Sequence, residues 1–343
     1  MTKLSYTREE ILADHDYARP QIEAGYRLHG GFDASGQYIS PRTRIRWPAV
    51  KAWQDQLAQR GAPIIDASRK LLKRGPYPTA DQQKFLLGNG FGETLWNSLT
   101  ITGVIEARGA MLAQAVAPDF QDIVVEDISN TCLGHLNKGM LAAHGWDEGG
   151  TKAQGIGGHD DMWFAVRDAL FGKNKYPLPE VPPSIGRPES GRRIPQVPQL
   201  HEEWILLLMN VLMIEVKAES FFSFCQAVMC DPDNFRDRRE AAKYAAEIVE
   251  RIRTDEAVHV AYLATVISEL RSFTIRTVDG AIVAGASIID PVWDQMIEWH
   301  SVTNANFQHD QSRDNIHQRL KKQPNGPALA AHFDSLEFAQ AAE

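Results

Sequence analysis

The chain has 343 residues, 43% hydrophobic and 23% charged, the balance of a soluble globular protein with room for one large domain or two ordinary ones. A formal net charge of -8 leaves no basic footprint, which argues against nucleic-acid and anionic-membrane partners. Cys132, Cys225 and Cys230 give neither a disulfide framework nor a CxxC pair and read as reduced and buried; with no apolar leader and no apolar run of membrane-spanning length, a cytoplasmic location is expected.

Residues 1–80 read as an irregular helical arm. Thr7 to Tyr17 can form a short helix, with Thr7 as cap and Glu10 three residues on. Gly30, Gly31 and Gly36 mark a loop, and Trp47 to Arg60 is amphipathic, with Pro48 suited to a first turn. Arg42, Arg44 and Arg46 form a small basic cluster, read as a solvated or subunit-contact surface.

Asp81 to Ala117 is the first long helix expected. Leu95, Leu99, Thr102, Gly103, Glu106, Ala110 and Ala113 share one face, apolar around a single Glu. Pro118 ends it. Asp119 to His144 is read as the second, with His135 the only ionisable group on the face of Val124, Ile128, Thr131, Cys132 and Gly139. Asp147 to Gly158 is glycine-rich but matches no phosphate-loop pattern. His159 to Gly172 reads as a short helix, its first turn capped by Asp160 or Asp161. Tyr176 to Gln199 contains seven prolines and is expected to cover surface, or to close a pocket as part of a lid from Gly149 to Gln199.

His201 to Cys230 is the third long helix, with Leu208, Val211, Leu212, Glu215, Glu219 and Phe222 on one face. The fourth runs from about Arg238 to Leu270. Along it Ile248, Ile252, Glu256, His259, Leu263, Val266 and Leu270 recur at steps of three and four. A carboxylate and an imidazole in such an apolar stripe are costly unless paired or bound to metal. Residues 271–289 change period and read as a β-hairpin turning at Asp279-Gly280, followed by a helix from Asp290 to about Asn306 and a loosely held polar tail. Trp96, Met111, Met209 and Met213, at helical spacing, are read as core.

Four helices thus present Glu106; His135; Glu215 with Glu219; and Glu256 with His259 to apolar faces. The pattern resembles the ferritin-like carboxylate-bridged di-iron superfamily, in which two helices give one Glu each and two give Glu-x-x-His. The resemblance covers about Asp81 to Leu270. It implies an all-α fold: a ferritin-like four-helix bundle over 81–270, an N-terminal helical arm over 1–80, and a small C-terminal β-hairpin plus helix over 271–343. It implies Glu106, His135, Glu215, Glu256 and His259 as ligands of two iron ions, manganese being the other metal such donors suit. Cys132 stands where the second-helix Glu belongs. Glu219 is the first choice to compensate, with Glu126, His159, Asp160 or Asp161 as substitutes, or a single metal. The implied activity is that of an oxidoreductase, an oxygenase or oxidase using dioxygen on a small organic substrate, with Glu215 and Glu219 carrying the chemistry, in a homo-oligomer such as a homodimer. A ferroxidase or metal-storage role and a metal-free helical interaction protein are the competing readings.

Overall fold

The computed structural model describes residues 2–339. The arm is less helical than its sequence suggests. Thr7 forms the expected reciprocal capping box with Glu10, but the helix it starts, α1, is the single turn Arg8–Ile11. Two small antiparallel hairpins follow, β1 (Gln21–Glu23) with β2 (Tyr26–Leu28) and β3 (Gly31–Phe32) with β4 (Tyr38–Ile39). The amphipathic stretch then forms α2 (Arg46–Gln59). Ile11, Val50, Trp53 and Leu57 are fully buried, so the arm is packed onto the central helices rather than extended from them. The basic cluster is not a solvated surface. Arg46 and Arg42 are buried, and only Arg44 is exposed.

The first long helix is broken into α3 (Ala80–Gly88) and α4 (Glu93–Gly109), with Gly90 in the left-handed region between them. A 3-10 turn, Ala110–Gln114, carries the chain on, and Met111, expected in the core, is exposed there. The second long helix does not form. Residues 119–140 fold as short turns, with 3-10 segments at Phe120–Asp122 and Leu133–His135 and a π turn at Leu136–Met140. Gly139, at φ +110°, interrupts any continuous helix there, a backbone setting glycine takes without strain. Regular helix resumes only as α5 (Leu141–Gly149), followed by α6 (His159–Phe171).

The third and fourth helices form close to their expected limits, as α7 (Gln199–Cys230) and α8 (Arg239–Ser272). All seven positions of the α8 stripe from Ile248 to Leu270 are buried. α8 packs against α7 and α6, and α4 packs against α6 and α5. The expected hairpin is β5 (Thr274–Arg276) paired with β6 (Ile282–Ala284), closed by Asp279 and Gly280. Glu126 is tied up there, accepting hydrogen bonds from the backbone N–H and hydroxyl of Thr274, and so is no metal ligand. α9 (Gly285–Glu298) starts five residues before the expected Asp290-Pro291, and a π turn, Trp299–Thr303, leads into α10 (Asn304–Leu320). The tail is not loose over its described length: α11 (Gly326–Ala339) buries Phe333 fully against Leu86, Ile316 and Leu320. Among the described residues, the chain is mostly helical and no helix is long and apolar enough to cross a membrane. The cysteines are free, but only Cys132 and Cys225 are buried; Cys230 is exposed at the end of α7.

The turns before α5 are anchored by a buried acid. Glu269 of α8 accepts hydrogen bonds from the backbone N–H of Cys132 at 3.0 Å and of Leu133 at 2.7 Å. Burial nevertheless wins over these donors and raises its carboxyl to about 7. The native state therefore keeps a proton that the unfolded chain releases at about pH 4.5. Its contribution is full below that pH and is lost as pH rises to about 7, on the order of 3 kcal/mol. Glu269→Gln should flatten this part of the stability profile, read from denaturant midpoints at about pH 5 and about pH 8. An unchanged slope would remove Glu269 from the account.

Candidate metal centre

α4, α5, α6, α7 and α8 converge on one buried cluster of carboxylates and imidazoles. Its ligand atoms form three groups, each with all its atoms within 4.8 Å of one another: His29, His159 and Asp255 make one, and the other two share a residue. Of those two, one contains His144, Glu148, Glu215 and His259; the other contains Glu106, Glu148, His159 and Glu256. Glu148 belongs to both. Glu106 is half-buried and the rest are buried.

Helix spacing explains much of the assembly. On α8, Glu256 and His259 lie three residues apart and meet at 2.7 Å, Oε2 to Nδ1. On α5, His144 and Glu148 lie four apart and meet at 3.3 Å. Glu215 reaches from α7 to within 3.2 Å of His144 Nε2. His159, the first residue of α6, places Nδ1 3.0 Å from Glu256 Oε1. Gly158 permits that position: a Cβ there would stand 2.4 Å from the Asp147 carbonyl oxygen. Gly109 serves similarly, because a Cβ on it would meet the Glu148 side chain at 2.6 Å.

Each imidazole is held from behind by its other nitrogen. His144 Nδ1 meets the Tyr262 hydroxyl at 2.7 Å, and His159 Nε2 meets Asp255 Oδ2 at 3.2 Å. His259 Nε2 meets Asp147 Oδ2 at 3.1 Å. Asp255 also meets His29 at 3.0 Å and accepts from the Tyr38 hydroxyl at 3.1 Å, while Asp147 accepts from Arg42 and Arg46. Outer partners of this kind fix which ring nitrogen faces inward. The inward nitrogens are His144 Nε2, His159 Nδ1 and His259 Nδ1. They surround Glu148 Oε1 at 3.3, 3.5 and 3.3 Å.

That oxygen makes no hydrogen bond despite its neighbours, nor do Glu256 Oε1 and His159 Nδ1. Buried polar atoms left this way are costly, and a cation seated among them removes the cost. The like-charged groups also disturb one another. Burial, then the neighbouring Glu148, pushes the Glu106 carboxyl well up; burial, then Glu256 and Glu148, does the same to Glu215. Against its burial, Glu148 is held well below the usual carboxylate range by the hydrogen bond from Glu106 and by His159. With metal bound, four deprotonated carboxylates and three neutral imidazoles would carry a charge that two divalent cations cancel. The donor set could hold divalent metal ions.

Of the residues singled out from the sequence, Glu106, Glu215, Glu256 and His259 are brought together here. His135 and Glu219 are not. His135 has both nitrogens engaged, Nδ1 with the Thr131 carbonyl at 2.6 Å and Nε2 as acceptor from the Tyr6 backbone N–H at 3.0 Å, and its ring packs 4.7 Å from that of Trp53. It lies in the turns that replace the expected helix. Glu219 turns toward α8, where Arg253 binds both its oxygens at 2.6 and 2.9 Å. Cys132, in the same turns, does not stand in for a ligand. Of the substitutes considered, His159 is in the cluster, while Asp160 and Asp161 bind Lys152. Arg108, a conceivable partner for Glu106, instead binds the Pro182 carbonyl and fastens the proline-rich segment. His144 and Glu148 were missed. Their signal was His-x-x-x-Glu at i, i+4, immediately before Gly149-Gly150.

Compared with family models, curated proteins and solved structures, the chain matches none.

Proposed function

We propose that the chain is a metal-dependent oxidoreductase of the ferritin-like carboxylate-bridged type, holding two iron ions and using dioxygen to oxidise a small organic substrate. The observation that carries this reading is Glu148, shared by two ligand groups, whose buried Oε1 has no hydrogen bond and is faced by three imidazoles. Glu106, Glu148, Glu256 and His159 would hold one ion; His144, Glu148, Glu215 and His259 the other. Such ions, when bound in the ferrous state, supply the electrons for dioxygen reduction.

The protein's own part is placement and exclusion of water. Trp163, Leu99, Phe222 and Ile252, all fully buried, belong to the core around this part of the helices, and a dry site strengthens every electrostatic contact in it. Tyr262, Asp255 and Asp147 keep the three imidazoles aimed inward. The half-buried Glu106 marks the α4 side as the approach for a substrate.

The test is metal analysis followed by oxygen uptake. Protein loaded anaerobically with ferrous iron should retain about two ions per chain, matching the two ligand groups that share Glu148, and should consume oxygen on mixing. Two ions without substrate oxidation across candidate small molecules would favour a ferroxidase or storage role. No retained metal would leave a helical interaction protein.

A further inference from the structure

A second polar site lies on the far side of α7. Lys217 is two residues from Glu215, about 200° round the helix, so it points away from the cluster. At one end of the site, His300 of the π turn meets Asn210 of α7, Nε2 to Oδ1 at 3.1 Å. At the other, Lys217 donates to Gln308 Oε1 of α10 at 3.2 Å. His300, Asn304 and Gln308 recur every four residues and so form one stripe. Asn304 thus falls between the two contacts. Arg187, from the proline-rich segment, donates its backbone N–H to the same Asn210 oxygen at 2.6 Å.

The seam is left with unused hydrogen-bonding groups. His300 is fully buried and Arg187 is 8% exposed, yet His300 Nδ1 and Arg187 Nη2 have no partner among the described residues, and neither has Asn304 Nδ2. Lys217 forms no ion pair with any described carboxylate. Arg187 is offset through Nε by Glu189, which it shares with the half-exposed Arg193. Asn210 Nδ2 donates to the Leu206 carbonyl, so its oxygen is the acceptor and His300 carries its proton on Nε2. Burial, together with the charges of Lys217 and Arg187, pushes His300 down to about 3, so the imidazole is neutral and Nδ1 is a free acceptor. The seam therefore offers about one positive charge without a carboxylate partner, on the half-buried Lys217, together with two further N–H donors and one acceptor.

We infer that this seam between α7, the π turn and α10 is a binding site for a small organic monocarboxylate, with Lys217, Arg187 Nη2 and Asn304 Nδ2 as donors to the carboxylate and His300 Nδ1 as acceptor from a hydroxyl beside it. One unmatched charge suits a monoanion better than a dianionic phosphate, and the spare acceptor favours a 2-hydroxy acid over a plain one. The site is separate from the metal cluster and does not depend on what that cluster does.

Glycolate, acetate and inorganic phosphate are the probes, titrated into the full chain with calorimetry and ligand-detected NMR. Glycolate should bind several-fold tighter than acetate, with phosphate weaker than both. Lys217→Met should weaken glycolate at least about tenfold without loss of fold, since a half-buried lysine lacking a carboxylate is replaced by an apolar group of similar length. Asn304→Leu, which removes only a donor, should weaken it by a smaller factor and carries the test if the first variant fails to fold. Glu148→Ala should leave glycolate binding unchanged; a loss in that variant would place the anion at the cluster and overturn the assignment. Failure of glycolate to saturate the wild-type protein, undiminished binding in both α7–α10 variants, or tighter binding of phosphate would overturn it equally.

Discussion

Glu148→Ala is expected to empty both ligand groups at once, whereas His144→Ala and His159→Ala should each cost about one ion. Glu148 alone is common to the two groups. Losing an outer-shell partner of a ligand typically costs about 10–100-fold in metal affinity, so losing a carboxylate shared by both groups should exceed that range. The same substitution should erase the metal-linked gain in thermal stability, about 2.7 kcal/mol per ion when free metal stands at roughly a hundred times its dissociation constant. His135→Ala should leave metal content unchanged, since that ring is spent on Thr131 and Tyr6. The measurement is metal per chain by elemental analysis after desalting. If Glu148→Ala keeps one full ion while His144→Ala loses both, the sharing is assigned to the wrong residue.

Amphipathic periodicity made α7 and α8 legible, because long helices buried along one face must repeat near 3.6 residues whatever surrounds them. The Glu256–His259 pair stood out for the same reason: both sit in the one stripe that could not be solvated. The hairpin was legible through Asp279-Gly280, a turn whose chemistry is local. The stretch from Asp119 to Met140 was not. Its apolar residues do pack into the core, but through successive turns, and tertiary contacts such as Glu269 capping Cys132 and Leu133 hold them where no periodic pattern announces it. That error moved the helical candidate ligand from His144 to His135. His159 was hidden differently: its neighbours Asp160 and Asp161 look like first-turn acids, which they are, and the glycines that swing the ring onto Glu148 act through a close approach invisible in sequence. Arg46 read as surface because arginine usually is; its partner Asp147 lies a hundred residues away.

That arginine carries the largest expected stability effect. Arg46 is fully buried, with Nη2 2.6 Å from Asp147 Oδ2, and the carboxylate is itself fully buried. Against its burial, Arg46 and then Arg42 hold the Asp147 carboxyl well below the usual range. Removing one member of a buried pair costs about 3–5 kcal/mol, because the remaining charge stays out of water. Arg42 still faces Asp147, so Arg46→Met should fall at the lower end, about 3 kcal/mol. Adding Asp147→Asn should restore much of the loss, since the stranded charge is gone. The double variant should nonetheless bind metal less tightly than the parent, by about 10–100-fold, because a neutral amide no longer anchors His259 Nε2 as a carboxylate does. Denaturant unfolding of the metal-free proteins and metal titration of the same set separate the two effects. A single Arg46→Met variant as stable as the parent would show that Asp147 is neutral in the folded chain, and a double variant with unaltered metal affinity would show that His259 needs no carboxylate behind it.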